Sequence, residues 1–457
     1  MDWKTLTTKD RFYQDRMDGA DNPDAEGFTL FQQDAQRILY SSAFRRLQGK
    51  TQVHPFPSYD YLRTRLTHSI EVANVARSIA TRIADILQKD DDTVNPVDWG
   101  DIVYCASLIH DIGNPPFGHV GEYAIQSWFE DNKEKGAIGD VMGDGRYAGD
   151  FLGFEGNAQG FRVVTRLAGW REQGGLRLTN SVLASFIKYP YGSTKRFSSR
   201  YKSPGKSKFG FTWDDRDAAA EVFKSVGIPH KEQEGYARHP FVHILEAADD
   251  ICYRTTDIED AFRIGHLQFK AAETLLRPLA EKGGDPKRYN EIPEAEEQDR
   301  IAYLRSGAIV GLSKIAVRRF IDMKDTIEAD SLGQDLIKDP NVAGDLEAIA
   351  EACRDKVYKE RRKLETESAG ITILSYLLEH LTGMAMSKAS GKDLKTKERH
   401  LYDLLPSHSR AALDAAGLNK YKALLVITDY ISGMTDRYAH ELFLKLNGTS
   451  PLIGRMT

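Results

Sequence analysis

Residues 66–89, LTHSIEVANVARSIATRIADILQK, set Ile70, Val72, Val75, Ile79, Ile83, Ile86 and Leu87 at helical spacing. A strand repeats every two residues, so it cannot gather that set on one face; a helix can. The pattern recurs along the chain. HPFVHILEAADDICYRTTDIEDAF (239–262) predicts a long helix with small residues in its middle, and VDWGDIVYCASLIHD predicts one ending at Gly113. Further helical stretches are expected at about 301–323, 344–365, 369–387 and 407–447. Strand-like alternation is scarce. The sequence therefore predicts an all-α fold, with room for one short hairpin.

A length of 457 residues suits two or three domains or one large elaborated one. The acidic, proline-bearing stretch GDPKRYNEIPEAEEQDR (284–300) is the best junction, dividing a core (1–283) from a C-terminal helical region (284–457). The 62 basic and 67 acidic residues give a net charge of -5, against a general nucleic-acid scavenger. Three cysteines without a CxxC predict no disulfide framework and a reducing cytoplasm. The polar N-terminus shows no signal peptide, and the short apolar runs predict no membrane span.

Two segments look irregular. Residues 133–155 are rich in Gly and Asp. Residues 190–212 carry Lys195, Arg196, Arg200, Lys202, Lys206 and Lys208 with no acid between them. That loop reads either as a solvated surface or as an anion-binding flap for triphosphate or a nucleic-acid backbone. PGKS (204–207) is no P-loop, since Arg200 stands where the first Gly is needed. HELFL at His440 lacks the second His of a zinc-protease helix, Leu444 holding that place.

LIHDIGNPPFGHVGE (108–122) is the informative stretch. His110 and Asp111 are neighbours, and helical neighbours diverge by about 100°, so both reach one ion only near a helix end. Gly113 and Pro115-Pro116 supply that end. His68, at a helix start, and the Asp249-Asp250 pair complete a mixed N/O shell for Mn, Mg, Fe, Ni, Co or Zn, with Mn²⁺ or Mg²⁺ foremost. Beyond the break, His119 and Glu122 lie three residues apart on a new helix, where Glu122 can hold the imidazole in one tautomer. Singly, each feature is ordinary; together they point to a metal site beside a proton-transfer site.

Several longer segments sharpen this. SSAFRRLQGKTQV (41–53), RTRLTHSIEVANVAR (63–77), HDIGNPPFGHVGE (110–122), FEGNAQGFRVVTRL (154–167), EAADDICYRTTDIEDA (246–261) and DYISGMTDRYA (429–439) resemble the deoxyguanosinetriphosphate triphosphohydrolase (dGTPase) family of HD-domain phosphohydrolases. The resemblance implies an HD-domain helical core and hydrolysis of dGTP, or of dNTPs generally, to deoxynucleoside and inorganic triphosphate. It assigns His68, His110, Asp111 and Asp249 as metal ligands. Asp249 is preferred to Asp250 because Tyr253 follows it by four residues. His119, with Glu122, becomes the proton carrier, as acid on the 5′-oxygen or as base on the water. Arg65 is placed for a phosphate oxygen. Gln52 and Val53 resemble the segment that reads the sugar, Tyr253 and Asp257 extend the sugar contact, and Lys188 and Tyr189 can reach the triphosphate. Asn114 stands where many HD relatives carry His. A homo-oligomer, hexameric by preference, and a nucleotide or single-stranded DNA effector are also implied. The competing expectations are an HD phosphohydrolase acting on another phosphorylated nucleotide, and a nucleotide-sensing or single-strand-binding assembly.

Overall fold

The computed structural model describes residues 2–13, 27–52, 62–169, 174–193, 208–231, 235–284, 286–332, 335–356 and 361–449. Val53 and the cations Lys195, Arg196, Arg200, Lys202 and Lys206 lie outside these residues. The fold is all-α. The one sheet among the described residues is a hairpin pairing His230–Lys231 with Gly235–Tyr236.

Helix α1 spans Leu30–Leu39, α2 Arg65–Leu87 and α3 Pro96–Ile109. Local chemistry fixes where they start. Thr64 Oγ1 accepts from Thr67 N while Thr67 Oγ1 accepts from Thr64 N, a reciprocal cap on α2. Asn95 Oδ1 accepts from Val97 N and Asp98 N, and Pro96 occupies the first helical position of α3. Helix α4 spans His119–Asn132, α5 Gly156–Arg162 and α6 Phe241–Arg263. Helix α6 packs across both α2 and α3. Trp99 of α3 is fully buried between Trp3 and Phe241, with ring centroids 4.7 and 4.6 Å away. Burial of each such ring stabilises by about 1.5–3 kcal/mol.

The C-terminal half continues with α7 (Phe269–Gly283), α8 (Glu297–Asp322), α9 (Ala343–Lys356) and α10 (Arg361–Ala389). The single stretch expected at 407–447 is three helices: Ser407–Ala416, then α11 (Lys420–Ser432) and α12 (Asp436–Leu446). The first break falls at Gly417, whose φ of 55° no L residue adopts comfortably; the second falls at Gly433-Met434-Thr435.

Two apolar clusters make the interior. One draws on residues from Trp3 to Cys353, so α8 and α9, beyond the junction expected at 284–300, pack into it. The other joins residues 117–154 to 373–439. Ile112 belongs to the first and Phe117 to the second. The Gly-Asn-Pro-Pro break thus carries the chain from one core to the other, and the chemistry-bearing residues flank that seam. Among the described residues, no helix is long and apolar enough to cross a membrane.

Candidate active site

Helix α3 stops four residues before Gly113, the end its periodicity suggested. His110 is its C-cap, and the His110 Nδ1–H donates to the Ser107 carbonyl at 2.7 Å. That bond fixes the tautomer and leaves Nε2 as a lone-pair donor. Nε2 of His110 lies 3.7 Å from Asp111 Oδ2 and 3.7 Å from Asp249 Oδ1. His68, in the first turn of α2 and 2% exposed, places Nε2 3.1 Å from Asp249 Oδ1. Ligand-capable atoms of His68, His110 and Asp111 all lie within 4.8 Å of one another, and Asp249 closes the group from α6.

The charges suit a divalent cation. Burial works against the ionised form of Asp249, but His110 and His68 hold its carboxyl down at about 2. Asp111 is likewise driven well below the usual carboxylate range, against its burial, by Arg65 and both imidazoles. Burial alone would depress His68; the hydrogen bond and charge of Asp249 raise it instead. Two imidazole nitrogens and two anionic carboxylates form a mixed donor set of the kind borderline and hard divalent ions take. Asp250, by contrast, is pushed up to about 6 by burial and by the neighbouring Asp249 charge.

Arg65 is buried and donates from Nη1 to Asp111 Oδ2 at 2.6 Å. On its other side it lies against Gly118, where a Cβ would come within 2.6 Å of Nη2. Gly118, at φ 59°, begins α4, so His119 follows directly. The His119 Nδ1–H donates to Glu122 Oε2 at 2.8 Å, and Glu122 Oε1 accepts from Gly156 N at 2.8 Å. Glu122 is 1% exposed, while the His119 side chain is 79% exposed. A buried carboxylate, hydrogen-bonded at both oxygens, thus grips one nitrogen of a largely exposed imidazole. Burial opposes the charge on Glu122, but His119 keeps its carboxyl below the ordinary value.

The remaining sequence candidates are placed less uniformly. Lys188 Nζ sits 3.6 Å from Glu246 Oε1, one turn before Asp249 and Asp250 on α6. Burial would depress Lys188, but Glu246, Tyr189, Asp249 and Asp250 raise it. Tyr189 lies under that ammonium, its ring centroid 5.9 Å away. Tyr253 is 37% exposed and Asp257 is buried, both on α6 with Asp249. Gln52 is half-buried, and its Oε1 has no hydrogen-bond partner among the described residues. Of the basic loop, Lys208 is described; it pairs with Glu155 at 2.6 Å. Asn114 donates to Asp111 Oδ1 at 2.5 Å, so the residue standing in the His position orients the carboxylate.

Residues 65–144 match the HD domain model, and residues 338–445 match that of the phosphohydrolase-associated domain. A deoxyguanosinetriphosphate triphosphohydrolase-like protein of Pseudomonas aeruginosa is 40% identical over 98% of this chain and 99% of its own length. The chain belongs to the deoxyguanosinetriphosphate triphosphohydrolase family of HD-domain phosphohydrolases. A like-named protein of Synechocystis sp. is 36% identical, across 98% of this chain and all of the relative. The deoxyguanosinetriphosphate triphosphohydrolase of Klebsiella pneumoniae is 28% identical over 91% of this chain and 93% of its own. As a member of the dGTPase family the chain is a metal-dependent phosphohydrolase, and its His-His-Asp cluster lies within the HD match.

Sequence reasoning passed over Glu246, Lys50 and Asp436. Glu246 was discoverable, since its spacing of three from Asp249 puts both on one side of α6. Lys50 and Asp436 lie within the family-like segments 41–53 and 429–439, but no local pattern reveals their partners, which are 64 to 385 residues away.

Proposed function

We propose that this chain cleaves a deoxynucleoside triphosphate, dGTP foremost, to the deoxynucleoside and inorganic triphosphate. The observation that carries the reading is Arg65: bonded to Asp111 and pressed against Gly118, it makes the donor cluster and His119 neighbours. His68, His110, Asp111 and Asp249 would hold the divalent ion, Mn²⁺ or Mg²⁺. Once bound, that ion would offset charge at the α-phosphate and lower the pKa of water.

The protein's own groups do the rest. Water attacks the α-phosphorus and the bond to the 5′-oxygen breaks. His119 Nε2, left outward once Nδ1 is bound to Glu122, either protonates the departing 5′-oxygen or takes the proton of the attacking water. Asp249 keeps 28% of its side chain exposed, so the cluster opens towards a substrate rather than being sealed. Arg65 Nε is buried without a hydrogen-bond partner among the described residues, a donor fit for a phosphate oxygen. Gln52 Oε1 is an orphan acceptor fit for a sugar hydroxyl. Lys188 and Tyr189 reach towards the triphosphate, and Tyr253 and Asp257 towards the sugar, with Tyr253 filling the space a 2′-hydroxyl needs. We assign the chain to a homo-oligomer, a hexamer by preference, open to control by a nucleotide or single-stranded DNA.

The test is product analysis. The purified chain, with Mn²⁺ or Mg²⁺, is given each of the four dNTPs and GTP. Ion chromatography should find triphosphate, released fastest from dGTP and not from GTP. Chelation with EDTA should stop it and Mn²⁺ restore it. Pyrophosphate or monophosphate as the product would place the chain on another nucleotide reaction.

A further inference from the structure

The C-terminal region grips the two segments that carry Gln52 and His119 through one carboxylate. Asp436 opens α12 and is 3% exposed. Its Oδ2 accepts from Thr51 N at 3.0 Å and from Thr51 Oγ1 at 2.5 Å. Its Oδ1 accepts from Phe117 N at 2.9 Å. One of these residues precedes Gln52; the other lies two before His119.

Four further contacts lie around these segments. Lys50 Nζ donates to the Asn114 carbonyl at 2.5 Å and to the Ser432 carbonyl at 2.8 Å. A Cβ on Gly49 would come within 2.8 Å of the Thr435 side chain. A Cβ on Gly370 of α10 would come within 2.9 Å of the Phe117 ring. Phe117 itself holds φ 64°, a conformation that a non-glycine residue keeps only when its surroundings impose it. The bond to Asp436 and the close approach of Gly370 both hold Phe117 in that turn.

We propose that Asp436 is a positioning residue, fixing the Gln52 segment and the turn that delivers His119 at one set spacing. A carboxylate suits the task because it accepts from both backbone amides at once. An asparagine offers one acceptor oxygen and turns its NH₂ towards an N–H that then has no acceptor. The inference rests on the triphosphohydrolase reading given above.

The test is Asp436→Asn in the full chain with Mn²⁺ and dGTP. A displaced imidazole should lower kcat about tenfold, a modest share of the loss that misplacing a reacting group by an ångström can cause. Mn²⁺ affinity by titration calorimetry should stay within twofold, because Asp436 touches none of the four donors. Amide exchange at Phe117 should accelerate. In a His119→Ala background, Asp436→Asn should lower kcat no further, since no imidazole remains to be misplaced, while any change in KM through the Gln52 segment should persist. If the same tenfold loss persists there, the effect is general destabilisation and the inference falls. It falls also if Asp436→Asn leaves kcat and KM unchanged. Should Asp436→Asn fail to fold, Thr51→Val, which deletes one of the three donors, should lower kcat about threefold; no change would overturn the proposal. A wild-type chain that releases no triphosphate from any dNTP sinks the reading and this inference together. An active wild type with an unaltered variant sinks the inference alone.

Discussion

Asp249, partly exposed at the site, and Asp150, buried, are both carboxylates that desolvation pushes up, and they respond oppositely. Asp249 stands among two imidazoles and is held at about 2. Asp150, 3% exposed in the seam between residues 117–154 and α11, is pushed up to about 7. Burial raises both. Only at Asp249 do its neighbours, His110 and the His68 hydrogen bond first and Lys188 behind them, outweigh it, whereas Asp150 has Tyr421 Oη and the Trp213 amide as partners, with Asp215 adding repulsion. A carboxylate kept anionic suits a divalent ion; at Asp150, where burial wins and the partners are Tyr421 and the Trp213 amide, the carboxyl serves the packing of α11. Glu122 belongs with Asp249, because His119 keeps it low against its burial.

The sharpest way to break this contrast is to remove an anionic donor. Asp249→Ala or His110→Ala should lower triphosphate release at least about a thousandfold, a charge-stabilising interaction worth several kcal/mol being lost. Mn²⁺ titration should show the binding itself lost. Full turnover in either variant would separate the cluster from the chemistry.

The next effect is smaller and leaves the cluster intact. His119→Ala should lower kcat by about 10²–10⁴ while Mn²⁺ still binds, the usual share of a positioned acid or base. Glu122→Gln should cost about tenfold to a hundredfold, in the range found when a partner behind a working imidazole is lost. The glutamine oxygen still accepts from Nδ1 but no longer stabilises the protonated ring. If Glu122→Gln weakens Mn²⁺ binding as much as turnover, the dyad is part of the donor cluster and the distinction drawn here fails.

What could be read from the sequence follows the range of the forces involved. Helices α2 and α6 were legible because their apolar spacing is local, and the break at 113–116 because Gly and Pro act on their own backbone. The end of α3 was not. There the backbone tightens to three-residue turn bonds, His110 N to the Ser107 carbonyl and Ile112 N to the Ile109 carbonyl, and the His110 ring donates to the same Ser107 carbonyl, none of which a propensity reports. The three helices within 407–447 read as one because their apolar periodicity runs on through Gly417 and Gly433. The candidate donors His68, His110, Asp111 and Asp249 were nameable as residue types, and family resemblance chose Asp249 over Asp250. Asp436 stands in the quoted segment 429–439, but its role was out of reach: its bonds to Phe117 and Thr51 span 319 and 385 residues, and only the closed fold brings those partners within 3 Å.

The smallest effect expected is at Asp150, and it is one of pH rather than of catalysis. Unfolded, the carboxyl titrates near 3.8; folded, near 7. Below about pH 4 both states carry the proton. Between 4 and 7 the folded state holds a proton that the unfolded state has released, so stability falls as pH rises through that window. Above 7 the folded protein carries an unwelcome anion beside Asp215. Tyr421 Oη, which donates to Asp150 at 2.6 Å, and the Trp213 amide soften that cost without removing it. Asp150→Asn removes the titration and keeps a carbonyl for Tyr421. It should flatten the decline of Tm between pH 4.5 and 7.5 by roughly a few degrees, read by calorimetry at matched ionic strength. Turnover at neutral pH should change less than twofold, since Asp150 touches neither the donors nor His119. A decline as steep as that of the wild type would show that the Asp150 carboxyl ionises as freely in the folded chain as outside it. The contrast would then lose its neutral member, leaving Asp249 and Glu122, two carboxylates both held anionic against their burial.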